Sequence, residues 1–284
     1  MSVTFGTAWR RVRDRFRDAG LDTPEIDARY LAEAVLGVSG GDLVRRESDP
    51  MPPGAQQRLD AFAERRLAGE PVARILGAKA FYGRDFILNA ATLVPRPETE
   101  LLVTLGMKAL RARSHATILD LGTGTGCIAI SLLAELPDAQ AVGVDFSVEA
   151  LDAARANAVR HGVGDRLSLA AGSWFDPLGP GEVFDLIVSN PPYIETSVIS
   201  TLMSEVRDHD PVLALDGGPD GLAAYRTILA DAGERLNPGG ALILEIGSTQ
   251  GTAVAGIARA NGFLTIALEK DLSGLDRALV VHHS

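Results

Sequence analysis

The sequence predicts an α/β fold, in which a mostly parallel sheet carries helices on both faces and follows a small N-terminal helical bundle and a β-hairpin linker. Two observations predict this architecture. Residues 1 to about 70 show helical periodicity, whereas residues from about 98 onward alternate between helix-like segments and short apolar strand-like segments. Such alternation favours crossover connections between parallel strands, which place helices on both faces of a sheet.

The N-terminal region, residues 1–75, is predicted to contain four or five short helices. Thr23 and Pro24 are typical of a helix start, and apolar residues follow them at helical spacing. A later helix is expected from about Gln56 to Leu67, before Gly69. Because the apolar stripes of such short helices must face one another or a partner, we expect a small separate domain.

Residues 76–95 are predicted to form a β-hairpin linker between two domains. Strand-like stretches cover residues 81–88 and 91–94, and Asn89 lies between them. Because asparagine is favoured in turns, we expect the hairpin to reverse at this residue.

The remaining residues, 96–284, are predicted to form the sheet domain. The expected strands cover residues 117–121, 140–144, 167–170, 185–189 and 241–246, and the expected helices cover 98–112, 127–136, 148–161, 222–236 and 250–261. The last two strand-like stretches, 263–268 and 278–282, are separated by too few residues for a crossover helix. We therefore expect this last pair to be antiparallel.

The composition is that of a globular protein in a reducing compartment. The chain has 284 residues, of which 46% are hydrophobic and 23% charged. A single cysteine, Cys127, excludes an intrachain disulfide and a multi-cysteine zinc site, and we expect it to be a small core residue. The five histidines do not cluster, so no metal is expected. The sequence shows neither an export signal nor an apolar segment of membrane-spanning length, which favours a cytoplasmic location without a membrane partner.

The charge distribution disfavours nucleic acid as a stable partner. The formal net charge is -10, and residues 1–70 hold 11 Lys and Arg against 12 Asp and Glu, so the acidic excess lies in the rest of the chain. Affinity for duplex DNA comes largely from neutralising phosphates with basic side chains. An acidic sheet domain therefore points to another kind of substrate.

A glycine-rich loop is predicted to bind a cofactor. An apolar strand runs into Gly122-Thr123-Gly124-Thr125-Gly126, and a helix follows directly. Glycines let the backbone approach a ligand closely, and a helix N-terminus offers unpaired N–H groups. Asp145, at the end of the next predicted strand, is positioned to accept hydrogen bonds from ribose hydroxyls.

The loop alone leaves three interpretations: an S-adenosylmethionine site, an NAD(P) site, or a purely structural strand–turn–helix. Asp120, two residues before Gly122, favours the first. A carboxylate there would repel a pyrophosphate, whereas it can help to hold a cationic sulfonium and ammonium. The pattern Asp-x-Gly-x-Gly-x-Gly resembles motif I of the class I methyltransferases.

A second motif, Asn190-Pro191-Pro192-Tyr193, follows the apolar strand at residues 184–189 and indicates a nitrogen acceptor. An amide or exocyclic amine nitrogen is a poor nucleophile because its lone pair is delocalised. Two acceptors on its N–H bonds, the Asn190 side-chain oxygen and the Pro191 carbonyl, can orient it for in-line methyl transfer. The two prolines stiffen the loop, and Tyr193 can lie flat against a planar acceptor.

With these motifs, the chain resembles the release-factor glutamine N5-methyltransferases, the HemK or PrmC family. The resemblance runs from about residue 60 to the end and includes further blocks in the family's order. These blocks are Arg65-Arg66, Gly69 to Val72, Ile75 to Gly77, Phe81 to Gly83, Val94 to Glu100, Ala214 to Leu222 and Leu244 to Gly247. Asp210-Pro211 stands where the family usually has Glu-Pro.

The resemblance implies a Rossmann-like seven-stranded class I methyltransferase sheet whose last strand is antiparallel. It implies that Gly122 to Gly126 and Asp145 hold S-adenosyl-L-methionine and the product S-adenosyl-L-homocysteine, that Trp174 packs on the adenine, and that Asn190 also borders the cofactor. Pro95 to Glu100 would wall the cofactor or acceptor site.

The acceptor that the resemblance implies is the glutamine of the Gly-Gly-Gln motif in class I peptide chain release factors, docked by the helical domain. Three alternatives remain open: a ribosomal-protein glutamine, an adenine-N6 in nucleic acid, and a non-catalytic binding module.

Overall fold

The computed structural model describes residues 3–282, and the chain divides into two compact units. The first unit ends at Gly77 and the second begins at Ala78. The hairpin segment falls within the second unit. The three-part division into residues 1–75, 76–95 and 96–284 stays a prediction.

The described part of the first unit, from residue 3 onward, contains five helices: α1 (Phe5–Asp18), α2 (Pro24–Leu36), α3 (Gly40–Arg45), α4 (Ala55–Leu67) and α5 (Val72–Leu76). Thr4 caps α1 by accepting a hydrogen bond from the Thr7 backbone, and Gly37 ends α2 in the left-handed conformation that glycine adopts without strain. Phe16, Leu31 and Leu59 are fully buried in the core of this bundle. The predicted helical character of this region is confirmed.

The second unit opens with a two-stranded antiparallel hairpin, β1 (Ala78–Phe81) and β2 (Arg84–Ile87). The expectation that the hairpin turns at Asn89 is wrong. The turn is Tyr82-Gly83, where both residues have positive φ (47° and 72°), as the tightest hairpin turns require. Asn89 instead organises the following loop, because its Oδ1 accepts a hydrogen bond from the Ala91 N–H over 3.0 Å.

The seven-stranded sheet has the order β5-β4-β3-β6-β7-β9-β8. Its strands are β3 (Thr117–Leu121), β4 (Gln140–Asp145), β5 (Leu167–Ala171), β6 (Phe184–Ser189), β7 (Leu236–Glu245), β8 (Thr265–Lys270) and β9 (Asp276–His282). Strands β3 to β7 pair in parallel, whereas β9 runs antiparallel to both β7 and β8. This confirms the predicted fold class, including its antiparallel last strand.

Within the described residues, seven α-helices accompany the sheet: α6 (Glu100–Leu110), α7 (Cys127–Glu135), α8 (Val148–Arg160), α9 (Thr196–Ile199), α10 (Ser204–Arg207), α11 (Ala223–Ala232) and α12 (Gly251–Ala260). Alternate residues of the strands enter two separate cores. Ile118 packs with side chains of α6 and α7, whereas Leu119 packs with side chains of α11 and α12. Helices therefore cover both faces, as the alternating sequence pattern predicts. No helix of residues 3–282 is long and apolar enough to cross a membrane.

The strand order places the functional motifs side by side. The connection from β3 leads to β4 on one side, whereas β6 pairs on the other side of β3, so the order reverses there. Ligands of open α/β sheets bind at such a switch point, beyond the carboxyl ends of the strands. The glycine-rich loop follows β3, Asp145 ends β4 and Asn190 follows β6.

Candidate active site

A cavity of about 310 Å³ lies at the carboxyl ends of β3, β4 and β6. Eleven residues are predicted from the sequence to bind the cofactor or the acceptor, and eight of them line the cavity: Gly122, Thr123, Gly124, Thr125, Asp145, Trp174, Asn190 and Pro192. The remaining three, Gly126, Pro191 and Tyr193, are not part of its lining. Segments from residues 91–99 and 211–214 close the cavity, and they include Pro95, Arg96 and Thr99 of the predicted wall.

The glycine-rich loop bends back over the sheet edge. The N–H groups of Gly122 and Thr123 both donate to the Val144 carbonyl, over 2.8 and 2.9 Å. Gly126 has a φ of 77°, and a Cβ there would lie 2.7 Å from Ile130 Cδ1. Gly126 therefore permits the close start of α7 behind the loop, while Gly122 and Gly124 face the cavity.

Asp120 supports this loop from inside the protein and does not line the cavity. Its side chain is fully buried, and its Oδ2 accepts hydrogen bonds from the Thr123 hydroxyl (2.8 Å) and the Ala129 N–H (3.3 Å). Burial raises the pKa of Asp120 to about 7. Its Oδ1 has no hydrogen-bond partner within residues 3–282. In its ionised form, a carboxylate behind the loop favours a cationic ligand and disfavours a pyrophosphate.

Asp145 is held at the cavity by two backbone groups. Its Oδ2 accepts a hydrogen bond from Gly124 N–H over 2.8 Å, and its Oδ1 accepts one from Ser147 N–H over 2.9 Å. Burial raises the pKa of this carboxyl, against the effect of the hydrogen bonds from the backbone. A carboxylate fixed in this way can accept further hydrogen bonds from the hydroxyl groups of a ligand.

Two aromatic side chains line the cavity near Asp145. Trp174 has a φ of 46°, an uncommon conformation for a residue with a Cβ, and its side chain packs against the core between the sheet and α11 and α12. Phe146 is 72% exposed and also lines the cavity, a role that the sequence analysis missed. Its position directly after Asp145 is the only signal that could have indicated it.

Asn190 belongs to a hydrogen-bonded chain of three side chains. Asn190 Nδ2 donates to Thr99 Oγ1 over 3.1 Å, and the Thr99 hydroxyl donates to Glu245 Oε2 over 2.6 Å. Asn190 Oδ1 accepts no hydrogen bond from the described residues, 3–282. Thr99 and Glu245 lie in the segments Val94 to Glu100 and Leu244 to Gly247, whose sequence patterns indicate no individual role for either residue.

Two other residues of the second motif, Pro191 and Tyr193, do not line the cavity. Pro191 is buried, and Tyr193 packs against the same core as Trp174. The Tyr193 hydroxyl donates to Glu245 Oε1 over 3.4 Å, and burial raises the pKa of Tyr193 to about 12. The motif therefore contributes Asn190 and Pro192 to the cavity lining, with Tyr193 behind them.

An ion pair joins the two segments that close the cavity. Arg96 Nη2 lies 2.6 Å from Asp210 Oδ2, and the Val94 N–H donates to Asp210 Oδ1 over 3.4 Å. Both Arg96 and Pro211 line the cavity. Asp210 thus ties its own loop to the segment that contains Thr99.

Among residues 3–282, no histidine lines the cavity, and this includes His209. Cys127 lines it but is largely buried, and burial raises the pKa of its thiol to about 12, which makes it a poor nucleophile. Among residues 3–282, no group of three or more His, Cys, Asp and Glu side chains could hold a metal ion.

Two family models match the chain. The model described as the PrmC N-terminal domain matches residues 7–77, and the one described as the methyltransferase small domain matches residues 98–209. The first match coincides closely with the N-terminal compact unit, and the second includes the glycine-rich loop, Asp145 and Asn190 to Tyr193.

Curated proteins resemble the chain along almost its whole length. The release factor glutamine methyltransferase of Agrobacterium fabrum is 45% identical, and the alignment covers 94% of this chain and 93% of that protein. The protein of the same name from Caulobacter vibrioides is 44% identical, with 99% and 96% covered.

Among solved structures, the 16S rRNA N2 G1207 methyltransferase of T. Thermophilus, in complex with AdoMet and guanosine, resembles the chain with a TM-score of 0.52. The two are 17% identical, and the match covers 73% of this chain and 50% of that one. This likeness shows the fold alone.

Proposed function

The chain belongs to the release factor glutamine methyltransferase family, and from this premise we propose that it methylates the side-chain amide nitrogen (N5) of a glutamine in a peptide chain release factor. The proposed methyl donor is S-adenosyl-L-methionine, and the acceptor is the glutamine of the Gly-Gly-Gln motif in class I release factors. Methylation of this motif would support translation termination. The observation that carries the proposal is the presence of Asn190, the glycine-rich loop and Asp145 around one cavity.

The residues around the cavity fit the proposed cofactor. Gly122 and Gly124 present bare backbone to the cavity, and Asp145 offers a carboxylate for ribose hydroxyls. Trp174 and Phe146 offer aromatic surface for an adenine ring. The unsatisfied Asp120 Oδ1 behind the loop supports a cationic ligand over a dinucleotide. When bound, S-adenosylmethionine supplies an electrophilic methyl group on its sulfonium.

Asn190 is the proposed hydrogen-bond acceptor for the substrate amide. Since Asn190 Nδ2 is engaged by Thr99, Oδ1 is the atom available to accept an N–H of the glutamine. The Pro191 carbonyl is proposed to accept the second N–H. Two such acceptors draw electron density towards the nitrogen and align its lone pair with the methyl group.

The transfer needs no strong base before the methyl group moves. The new N–CH₃ bond forms as the bond between sulfur and that methyl group breaks, and one amide proton leaves to water afterwards. No histidine within the described part of the chain lines the cavity, which suits this order of events. The proposed role of the prolines is rigidity, because they have no N–H and restrict the loop's backbone.

The remaining parts of the proposal concern partners and location. We assign docking of the release factor to the N-terminal helices, which form their own compact unit. The acidic net charge of -10 supports a protein substrate over nucleic acid. The reaction as proposed uses no metal and takes place in the cytoplasm.

Radiolabelled methyl transfer tests the proposal. Purified protein and labelled S-adenosylmethionine are incubated separately with a class I release factor, with its Gly-Gly-Ala variant, with ribosomal protein and with duplex DNA. The proposal expects label on the wild-type factor and none on the variant. Label on ribosomal protein or DNA in place of the factor would assign a different substrate, and cofactor binding without any transfer would support a non-catalytic module.

A further inference from the structure

The side chain of Asn190 has two nearly isosteric ends, and only its surroundings decide which end faces the cavity. Rotation by half a turn exchanges the amide oxygen and the NH₂ group with almost no change in shape. An Asn190 oxygen that faces the substrate amide can accept a hydrogen bond from the substrate N–H. An Asn190 NH₂ group in the same place would put two hydrogen-bond donors against each other. The reaction proposed above therefore requires one orientation of this amide.

The hydrogen-bonded chain behind Asn190 defines that orientation. Thr99 and Glu245 are 2% and 1% exposed, so solvent does not compete for their polar atoms. An ionised carboxylate only accepts hydrogen bonds, so at 2.6 Å the Thr99 hydroxyl must donate its proton to Glu245 Oε2. The hydroxyl oxygen then has only lone pairs left for Asn190, which must present its NH₂ group over 3.1 Å.

We propose that Thr99 and Glu245 are positioning residues that hold the Asn190 amide with Oδ1 towards the glutamine to be methylated. This inference rests on the proposed function. Thr99 ends the turn Pro97–Thr99, Glu245 ends β7 and Asn190 follows β6, so the hydrogen-bonded chain joins three separate segments of the second compact unit. Neither Thr99 nor Glu245 has to touch the reacting atoms for this effect.

The ionisation of Glu245 controls the direction of the chain. Burial raises its pKa to about 7, against the opposing effects of the Thr99 hydrogen bond and the positive charge of Arg277. A protonated Glu245 can donate to Thr99 Oγ1, and the Thr99 hydroxyl can then donate to Asn190 Oδ1, which reverses the amide. The titratable and polar groups that face Glu245 are Arg277, Tyr193, Glu98, Thr99, Tyr225 and Cys127.

The sign of the pH effect follows directly. Above the pKa of Glu245 the carboxylate is ionised and the amide has the productive orientation. As the pH falls through about 7, the fraction with the reversed amide rises and methyl transfer slows. Tyr193 assists the ionised form, because its hydroxyl donates to the other carboxylate oxygen.

The first test compares two substitutions of Thr99. Thr99→Val keeps the shape and removes the hydroxyl, whereas Thr99→Ser keeps the hydroxyl. We expect Thr99→Val to lower kcat by roughly 10- to 100-fold, the effect of losing one oriented hydrogen bond in the transition state, with the Kd for S-adenosylmethionine within about twofold of wild type. Thr99→Ser should recover most of the lost rate. Thr104→Val, which removes an exposed hydroxyl of α6, is the matched control.

The second test uses Glu245→Gln, which cannot titrate. At saturating S-adenosylmethionine, the methyl-transfer rate of wild-type protein should fall on acidification through about pH 7. The variant should be slower than wild type at pH 8 and should lack this acid limb. An unchanged acid limb in Glu245→Gln, or equal rates of Thr99→Val and wild type, overturns the proposal. Equal impairment of Thr99→Ser and Thr99→Val does the same, because keeping the hydroxyl would then not preserve the rate.

A third readout is independent of catalysis and separates this inference from the proposed function. In ¹H–¹⁵N spectra of the protein with S-adenosylhomocysteine, the Asn190 NH₂ signals are those that disappear in Asn190→Ala. We expect them to titrate with a midpoint near pH 7 in wild type, to shift in Thr99→Val and to stop titrating in Glu245→Gln. If neither Thr99→Val nor Glu245→Gln changes the Asn190 NH₂ signals, the positioning role of Thr99 and Glu245 is contradicted, even if the protein methylates no release factor.

Discussion

Asp145 Oδ2 lies 2.8 Å from the backbone nitrogen of Gly124, so the carboxylate that ends β4 is hydrogen-bonded to the loop that follows β3. Ser147, the N-cap of α8, holds the other carboxylate oxygen over 2.9 Å. The side chain is therefore oriented by two backbone N–H groups before a cofactor arrives. Preorganisation of this kind lowers the entropic cost of ligand binding.

Asp145→Ala should weaken the binding of S-adenosylmethionine by about 10- to 100-fold, because hydrogen bonds to a charged group contribute about 1.5–3 kcal/mol. Isothermal titration calorimetry measures the change. Asp152→Asn, an exposed carboxylate on α8, is the control and should bind like wild type. Wild-type affinity in Asp145→Ala would remove this residue from the cofactor site.

Cofactor binding should also weaken in acid. Because burial raises the pKa of Asp145, its carboxylate is lost at a higher pH than in an ordinary aspartate, whose pKa is about 3.9. The ionised form accepts the ribose hydroxyls, so affinity falls as the pH drops through the raised pKa. Calorimetric titrations at a series of acidic pH values should show this decline. An affinity that does not change with pH would contradict the role of the Asp145 carboxylate in cofactor binding.

Asn190→Ala should abolish methyl transfer and change the affinity for S-adenosylmethionine by less than about tenfold. The substitution removes the acceptor for the substrate amide but leaves the glycine-rich loop and Asp145 intact. Single-turnover rates and calorimetry on the same preparation separate the two effects. Asn261→Ala, at the exposed end of α12, should retain the wild-type rate. Wild-type turnover in Asn190→Ala would contradict the role assigned to this side chain.

Asp210→Asn should lower the free energy of unfolding by about 1–3 kcal/mol, since it leaves Arg96 without its buried partner. Urea denaturation measures this loss. Combining Asp210→Asn with Arg96→Met should cost less than the sum of the single changes, because the two side chains interact directly. Asp152→Asn disrupts an exposed ion pair with Arg155 and should change stability by less than about 0.5 kcal/mol. Additive effects at Arg96 and Asp210 would show that the pair contributes nothing.

Two glycines should respond in opposite directions to alanine. Gly126→Ala should destabilise the protein by at least about 1 kcal/mol, because its φ is 77° and the new Cβ would lie 2.7 Å from Ile130 Cδ1. Gly256→Ala lies in the middle of α12, where a Cβ meets nothing within 4 Å, and should stabilise by about 0.5–1 kcal/mol. Urea denaturation of both variants measures the change in the free energy of unfolding. A change of the same sign in both variants would contradict the prediction.

The parts of the fold that depend on local patterns were predictable from sequence. Strand β3 begins at Thr117 and ends at Leu121 as expected, because its apolar residues are bounded by a loop and by glycines. The prediction of a hairpin turn at Asn89 was also wrong for a local reason. Asparagine favours turns, but Tyr82-Gly83 forms the tighter one, and Asn89 is used to organise the next loop.

The site was predictable only where one segment carried the signal. Gly122 to Gly126 and Asn190 could be proposed as site residues because each belongs to a distinctive motif directly after a predicted strand. Thr99 and Glu245 could not be linked to Asn190 from sequence, because tertiary folding alone brings these three segments together. Asp120 illustrates the same limit: its sequence position suggests cofactor contact, whereas the structure places it behind the loop, fully buried.

Tandem mass spectrometry of a class I release factor treated with the protein and S-adenosylmethionine locates the transferred methyl group. We expect one added methyl group on the side-chain nitrogen of the glutamine in the Gly-Gly-Gln peptide, and none when Asn190→Ala replaces wild type. A methyl group on another residue, or an unmodified glutamine despite demonstrated cofactor binding, would contradict the proposed function.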